Sequence, residues 1–252
     1  MPTLASHLTR PLLLAALFAA AAAHAQDAQV ASAAASTAAS REAPSRHLAP
    51  GFTTRAADSR LLVLPADMEL FSISAGGVVE PRNDWTEAAQ KNFAAGLASQ
   101  RARLGTQVTE LNALQADEFA EVTALHRAVA DAIQLHHRGG WMELPTKNRA
   151  LDWSLGDAVR PLKERTGADY ALFTWVRDSY ASSERKLAMV ALAALGAISL
   201  GGEQTGYASL VDLNTGRIVW FNQLSRMSGD LREPAPAVET VEALLKGFPA
   251  LK

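Results

Sequence analysis

The chain has 252 residues, with 24 Lys and Arg against 26 Asp and Glu, and no cysteine. That length allows one sizeable domain or two small ones, and the missing cysteine excludes disulfides, thiolate catalysis, Cys-bound zinc and a lipid-modified amino-terminal Cys. A net charge of −2 without Lys/Arg clusters lacks the electrostatic footprint of a nucleic-acid binder.

Residues 1–25 read as a cleaved signal peptide. Arg10 supplies the positive start, Pro11 to Ala22 the apolar run, and Ala23-His24-Ala25 the small-x-small site. A membrane-spanning helix needs about 20 apolar residues, more than this run contains. Residues 26–59 are rich in Ala and Ser, with Pro44 and Pro50 and no periodic apolar face; they read as a flexible tether. Export without cysteine predicts a periplasmic protein whose folding does not depend on oxidation.

The folded domain is expected over 60–252. Arg60 to Pro65 reads as a buried strand ended by proline, and Leu70-Phe71-Ser72-Ile73 as a second strand before Gly76-Gly77. Asp84-Trp85-Thr86-Glu87 has the pattern of a capping box. Trp85, Ala89, Phe93 and Leu97 then form one stripe of a helix that stops near Gly105. Thr106 to Leu111 alternates like an edge strand. The clearest helix carries Phe119, Val122, Leu125, Val129, Ala132 and Ile133 on one face and ends at Gly139-Gly140. A shorter helix, capped at Ser154 to Asp157 and disturbed by Pro161, runs to about Arg165.

The segment from Ala168 to Asn222 organises the rest. Ala168 to Val176 is a strand-favouring run opened by Thr166-Gly167. Gly206 to Leu213 and Arg217 to Phe221 flank Asn214-Thr215-Gly216, a hairpin with Gly216 at positive φ. Between them Leu187 to Leu200 is mostly Ala, Leu, Val and Ile. Val238, Val241, Leu244, Leu245 and Phe248 mark a closing amphipathic helix. This order predicts an α/β (α+β) chain: a mixed sheet of about five strands with packed helices.

No constellation compels a reaction. His126 and His137 lie on nearly the same helical face but about 16 Å apart, too far for one metal ion. With no His-Glu-x-x-His pattern, the histidines His126, His136 and His137 are expected to be solvated or capping. Ser72 to Gly76 and Gly196 to Gly201 miss the Gly-x-Ser-x-Gly elbow, and Gly201 to Gly206 lacks the Lys-Ser/Thr of a phosphate loop. No cofactor, metal or catalytic residue is therefore expected. Arg177-Asp178 at a strand end, with the His136-His137 helix end, leaves a hydrolase open as an alternative.

The run Leu187 to Leu200 is either a buried small-residue helix, a protein-binding surface or a membrane contact, with exposure as the deciding property. The candidate contact residues are Arg185, Lys186, Leu187, Met189, Leu192, Leu195, Ile198 and Leu200.

Arg60 to Pro65, Gly167-Ala168-Asp169-Tyr170-Ala171-Leu172 and Val211-Asp212-Leu213-Asn214-Thr215-Gly216-Arg217-Ile218-Val219-Trp220 resemble segments of two envelope families. These are the curli-secretion-channel family and the lipoprotein activators of penicillin-binding proteins. The resemblance implies an anticodon-binding-like sandwich, exported, non-enzymatic and acting on an envelope protein partner. The chain departs from both in lacking a lipid-acceptor Cys, and its insert does not alternate as strands of a membrane barrel do.

Overall fold

The computed structural model describes residues 46–140, 142–194 and 202–252. In chain order it forms β1 (Leu61–Val63), β2 (Asp67–Ile73), β3 (Val79–Pro81), α1 (Asn83–Ser99) and α2 (Arg101–Leu104). Next come β4 (Val108–Glu110), α3 (Ala113–Asp117), α4 (Ala120–Ile133) and α5 (Arg160–Thr166). The chain then gives β5 (Tyr170–Ala181), α6 (Ser183–Ala194), β6 (Gln204–Asp212), β7 (Ile218–Arg226) and α7 (Pro234–Leu244).

β5 is the spine of a mixed sheet. One edge pairs antiparallel with β6, from Tyr170 opposite Asp212 to Asp178 opposite Gln204, and β6 pairs antiparallel with β7. The other edge is shared by two parallel partners: β1 beside Tyr170 to Leu172 and β2 beside Trp175 to Ala181. Pro65 stands between them and has no N–H for a ladder. β4 lies parallel outside β1, and β3 antiparallel outside β2. Seven strands thus make a sheet five positions wide, matching the expected class. Gly216, at φ 71°, closes the β6–β7 hairpin; a Cβ there would lie 2.2 Å from Gly156 O, so only glycine fits.

Alternation along β5 sends Leu172, Val176 and Tyr180 to one core and Ala171 and Phe173 to the other. The first core is covered by α1, through Ala89, Phe93 and Leu97, and by α7, through Ala237, Val241 and Leu244. Gly96 lets these two helices touch: a Cβ there would sit 2.9 Å from Val241 Cγ2. Asn222 Nδ2 donates to Ala243 O and Leu244 O at 2.8 and 2.9 Å, satisfying carbonyls that the end of α7 leaves open. The second core is covered by α4 and α5 through Val122, Ile133 and Leu162.

Three expectations need correction. Helix α1 is not opened by an Asp84 capping box: its N-cap is Arg82, and Asp84 forms an ion pair with Arg82 at 2.7 Å. On α4 the buried positions are Val122, His126, Ala130 and Ile133, while Leu125 is exposed. His126 is inside because its ring stacks on Phe173 at 4.0 Å and its Nε2 meets Ser209 Oγ at 2.5 Å. His137 is buried as well, with Nε2 on Arg46 O at 2.8 Å.

The third correction concerns the tether. The packed body begins at Arg46, not Arg60. Leu48 bridges Trp220, Ala49 N–H donates to Val219 O and Phe221 N–H to His47 O, both at 2.9 Å. Arg55 is fully buried and donates to Pro249 O, Arg103 O and Leu104 O, with Phe248 beneath its guanidinium. Burial pushes its pKa down to about 10. Residues 1–45, which contain the expected signal peptide and the start of the tether, lie outside the described residues.

Candidate interaction surface

Strand registers gather several chain ends at one end of the sheet. Ile73 of β2 sits opposite Ala181 of β5, and Gln204 of β6 opposite both Asp178 and Arg226. Helix α6 starts two residues beyond β5. Ser182 seeds it: its hydroxyl accepts Arg185 N–H at 3.2 Å and its carbonyl accepts Lys186 N–H at 2.9 Å. The Glu184 carboxylate, bonded to its own backbone N–H and to the Ser182 hydroxyl, is held below the usual range, as the positive end of a helix favours. Arg185 Nη1 reaches Ser74 O at 3.3 Å, tying α6 to the β2–β3 turn.

The orientation of α6 is the unusual feature. Leu187 is 73% and Val190 71% exposed, and Ala191 beside them is also exposed. These positions are three and four apart, so they share one face. Arg185, Ala188 and Met189 turn toward the body. The helix therefore presents apolar side chains to solvent, where burying a Leu or Val is worth about 1.5–3 kcal/mol. The exposed Val78 and Val79 on the β2–β3 hairpin and Met227 after β7 stand at the same end of the sheet. Two cavities flank the root of α6, of about 740 Å³ on the hairpin side and about 270 Å³ on the Met227 side; Lys186 and Arg232 line both.

Beneath this end lies a buried polar chain. Asp178 is 2% exposed and accepts from the Tyr180 hydroxyl and from Gln204 Nε2 at 2.5 Å. Gln204 Oε1 accepts from Arg226 Nε at 2.8 Å and from Thr240 Oγ1 at 3.1 Å. Tyr180 Oη accepts Leu231 N–H at 2.8 Å. Burial pushes the Asp178 carboxyl up to about 6, against the lowering effect of its donors. The chain joins β5, β6, β7 and α7, and it holds the strands from which α6 departs.

Of the residues singled out in the sequence, Arg185, Lys186, Leu187 and Met189 lie together on α6. Lys186 and Leu187 are exposed and Met189 half-buried, whereas Arg185 spends its guanidinium on Ser74 O. Leu195, Ile198 and Leu200, and the side chain of Leu192, fall outside the described residues. For Leu187 and Val190 the buried-helix reading does not hold. Sequence reasoning missed Val78, Val79 and Met227; two adjacent valines just past Gly76-Gly77 were the available signal.

The other constellations do not converge. Arg177 meets Asp67 at 2.7 Å and Glu69 at 3.5 Å, while Asp178, the next residue, points to the opposite face. His136 Nδ1 contacts Met142 O and His137 contacts Arg46 O, so none of these groups shares a partner. Among the described residues no cluster of His, Asp and Glu could hold a metal ion, and no helix is long and apolar enough to cross a membrane.

No family model and no curated protein matches the chain. Several solved structures are similar to it in outline. The PelC dodecamer from Paraburkholderia phytofirmans is 13% identical, over 81% of this chain and 95% of that one, with a TM-score of 0.40. Lipoprotein GNA1162 from Neisseria meningitidis is 15% identical, over 68% and 81%, at 0.28. The LpoB C-terminal domain from Escherichia coli is 12% identical, over 71% and 87%, at 0.29. Likeness at this level assigns neither family nor function.

Proposed function

We propose that the chain is an exported, non-catalytic envelope protein that works by holding another protein against the outward face of α6. The observation that carries this reading is the exposure of Leu187 and Val190 on a helix anchored at its first turn. A helix face of this kind is left apolar where a partner groove receives it, through anchors spaced three and four residues apart. Export rests on the amino-terminal pattern of residues 1–25.

A double variant, Leu187→Asp with Val190→Asp, tests the reading. Both positions face solvent, so stability should change by no more than about 0.5 kcal/mol. Co-purification of the envelope partner from cross-linked cells should be lost in that variant. Flotation of the purified chain with vesicles of anionic phospholipid provides the opposing arm. Flotation that the double variant abolishes would replace the protein partner with a membrane surface.

A further inference from the structure

Where α4 ends, three stretches far apart in sequence bring basic side chains together. The helix widens there into a π turn, Gln134–Arg138, which carries His136, His137 and Arg138 in succession. Arg46 and His47 open the packed body beside it: Arg46 Nη2 donates to His137 O at 2.8 Å, and His47 Nδ1 meets Phe221 O at 3.1 Å. The third stretch follows a short 3-10 turn at Pro145–Lys147, where Asn148 and Arg149 stand at φ 47° and 60°. They are the only non-glycine residues at positive φ among the described residues, a sparsely populated conformation that concentrates at ligand clamps and active sites. The bend carries Arg149 Nε to Glu143 Oε2 at 2.8 Å, while Arg46 holds the other oxygen of the same carboxylate.

The cations in this patch exceed what neutralises them. Glu143 is the carboxylate that pairs with Arg46 and with Arg149. Arg138 is half-buried, and its guanidinium makes no hydrogen bond or ion pair among the described residues. Burial and the neighbouring Arg46 both push its pKa down, and no carboxylate acts against them. Burial and Arg138 also lower His47 and His137, with Lys246 adding to the effect at His47 and Arg46 at His137, where Glu143 opposes it. The carbonyl end of the helix offsets about half a charge, and Glu143 one more. Three guanidinium groups with neutral histidines therefore leave a surplus of about 1.5 positive charges. Gathering half-buried like charges costs the fold free energy, which a bound anion would recover.

We propose that Arg46, Arg138 and Arg149 bind a phosphate monoester group. Such a group carries about −1.5 to −2 charges at neutral pH, which matches the surplus. Its oxygens suit the planar fork of a guanidinium, whereas a singly charged carboxylate leaves part of the surplus unmatched. His47 and His137 already spend a ring nitrogen on a carbonyl, so they sense the bound charge rather than hold it. This site shares no residue with the α6 surface and is independent of the protein contact proposed there.

Glycerol 3-phosphate is the probe, with glycerol as the uncharged control. Titrated into the full chain at pH 7, it should shift the ring-proton resonances of His47 and His137 and saturate with a dissociation constant of about a millimolar. The titration of both histidines should also move to higher pH in its presence, because the anion counters the charges that hold them down. Arg138→Gln should weaken binding about tenfold or more by removing a charge-assisted hydrogen bond. Its thermal midpoint should stay level or rise, since Arg138 has no partner to lose. Arg149→Asn, which keeps a residue suited to positive φ, should weaken binding to a similar degree. Flotation with vesicles containing phosphatidic acid, lost in Arg138→Gln and kept in the Leu187→Asp, Val190→Asp double variant, would place the phosphate on a lipid. Binding of glycerol 3-phosphate without flotation would place it on a soluble molecule. No saturable shift, a response equal to that of glycerol, or unchanged affinity in both folded arginine variants would overturn the proposal.

Discussion

Replacing Asp178 with Asn should remove a pH dependence that the wild-type fold carries at the root of α6. The carboxyl is 2% exposed, and burial raises it from 3.8 to about 6, with Asp230 adding to the rise while Tyr180, Gln204 and the Ser179 N–H oppose it. Because the folded value lies above the unfolded one, the native state binds more protons between pH 4 and 6. Stability contributed by this group therefore falls as pH rises through that window and stays lower above it. At about 1.4 kcal/mol per pH unit, the loss is at most about 3 kcal/mol. Urea unfolding followed by tryptophan fluorescence, at half-unit steps from pH 4 to 8, measures it. The difference between wild type and Asp178→Asn should change by about 2–3 kcal/mol between pH 4 and 7, which cancels the titration of every other group. A difference that stays flat across this range would refute the buried, proton-linked state of Asp178.

His126 should behave in the opposite sense. Burial lowers it from 6.5 to about 3, so the unfolded state binds more protons below pH 6.5 and stability falls as pH drops; His126→Gln should flatten this acid limb by several kcal/mol, on the order of 4. Asn222→Ala should cost about 1–3 kcal/mol in urea unfolding, because the Ala243 and Leu244 carbonyls lose their donor in a buried setting. Arg55→Met should cost about 3 kcal/mol or more by stranding three carbonyls. It should also make the segment before Arg60 the first site of limited proteolysis; a variant as stable and resistant as wild type would contradict the clamp.

The parts of this fold that were legible are those set by local chemistry. Asn214-Thr215-Gly216 between two strand-favouring runs specifies its hairpin, since glycine adopts the φ of 71° at Gly216 most readily. The stripe Ala89, Phe93 and Leu97 likewise names the buried side of α1. What escaped depends on distant partners. Leu125 is more apolar than His126, yet His126 is inside because Phe173 and Ser209, far along the chain, receive it. Arg55 sits in a stretch with no periodicity, and its three acceptors lie 48, 49 and 194 residues away. Composition alone leaves the direction of α6 open: the same Leu, Ala and Val content suits a helix facing the core or facing away from it. Arg185 settles it by turning back to Ser74 O and fixing the opposite side outward.

The outward face of α6 is proposed to meet a protein. Photo-crosslinking tests it most directly, with a photoreactive phenylalanine derivative at position 187 or 190 and, as control, at position 114, where Leu114 is 81% exposed on α3. Irradiated cells should give one discrete protein adduct from positions 187 and 190 and none from 114. Adducts of equal pattern from all three positions, or no protein adduct from either α6 position, would contradict it.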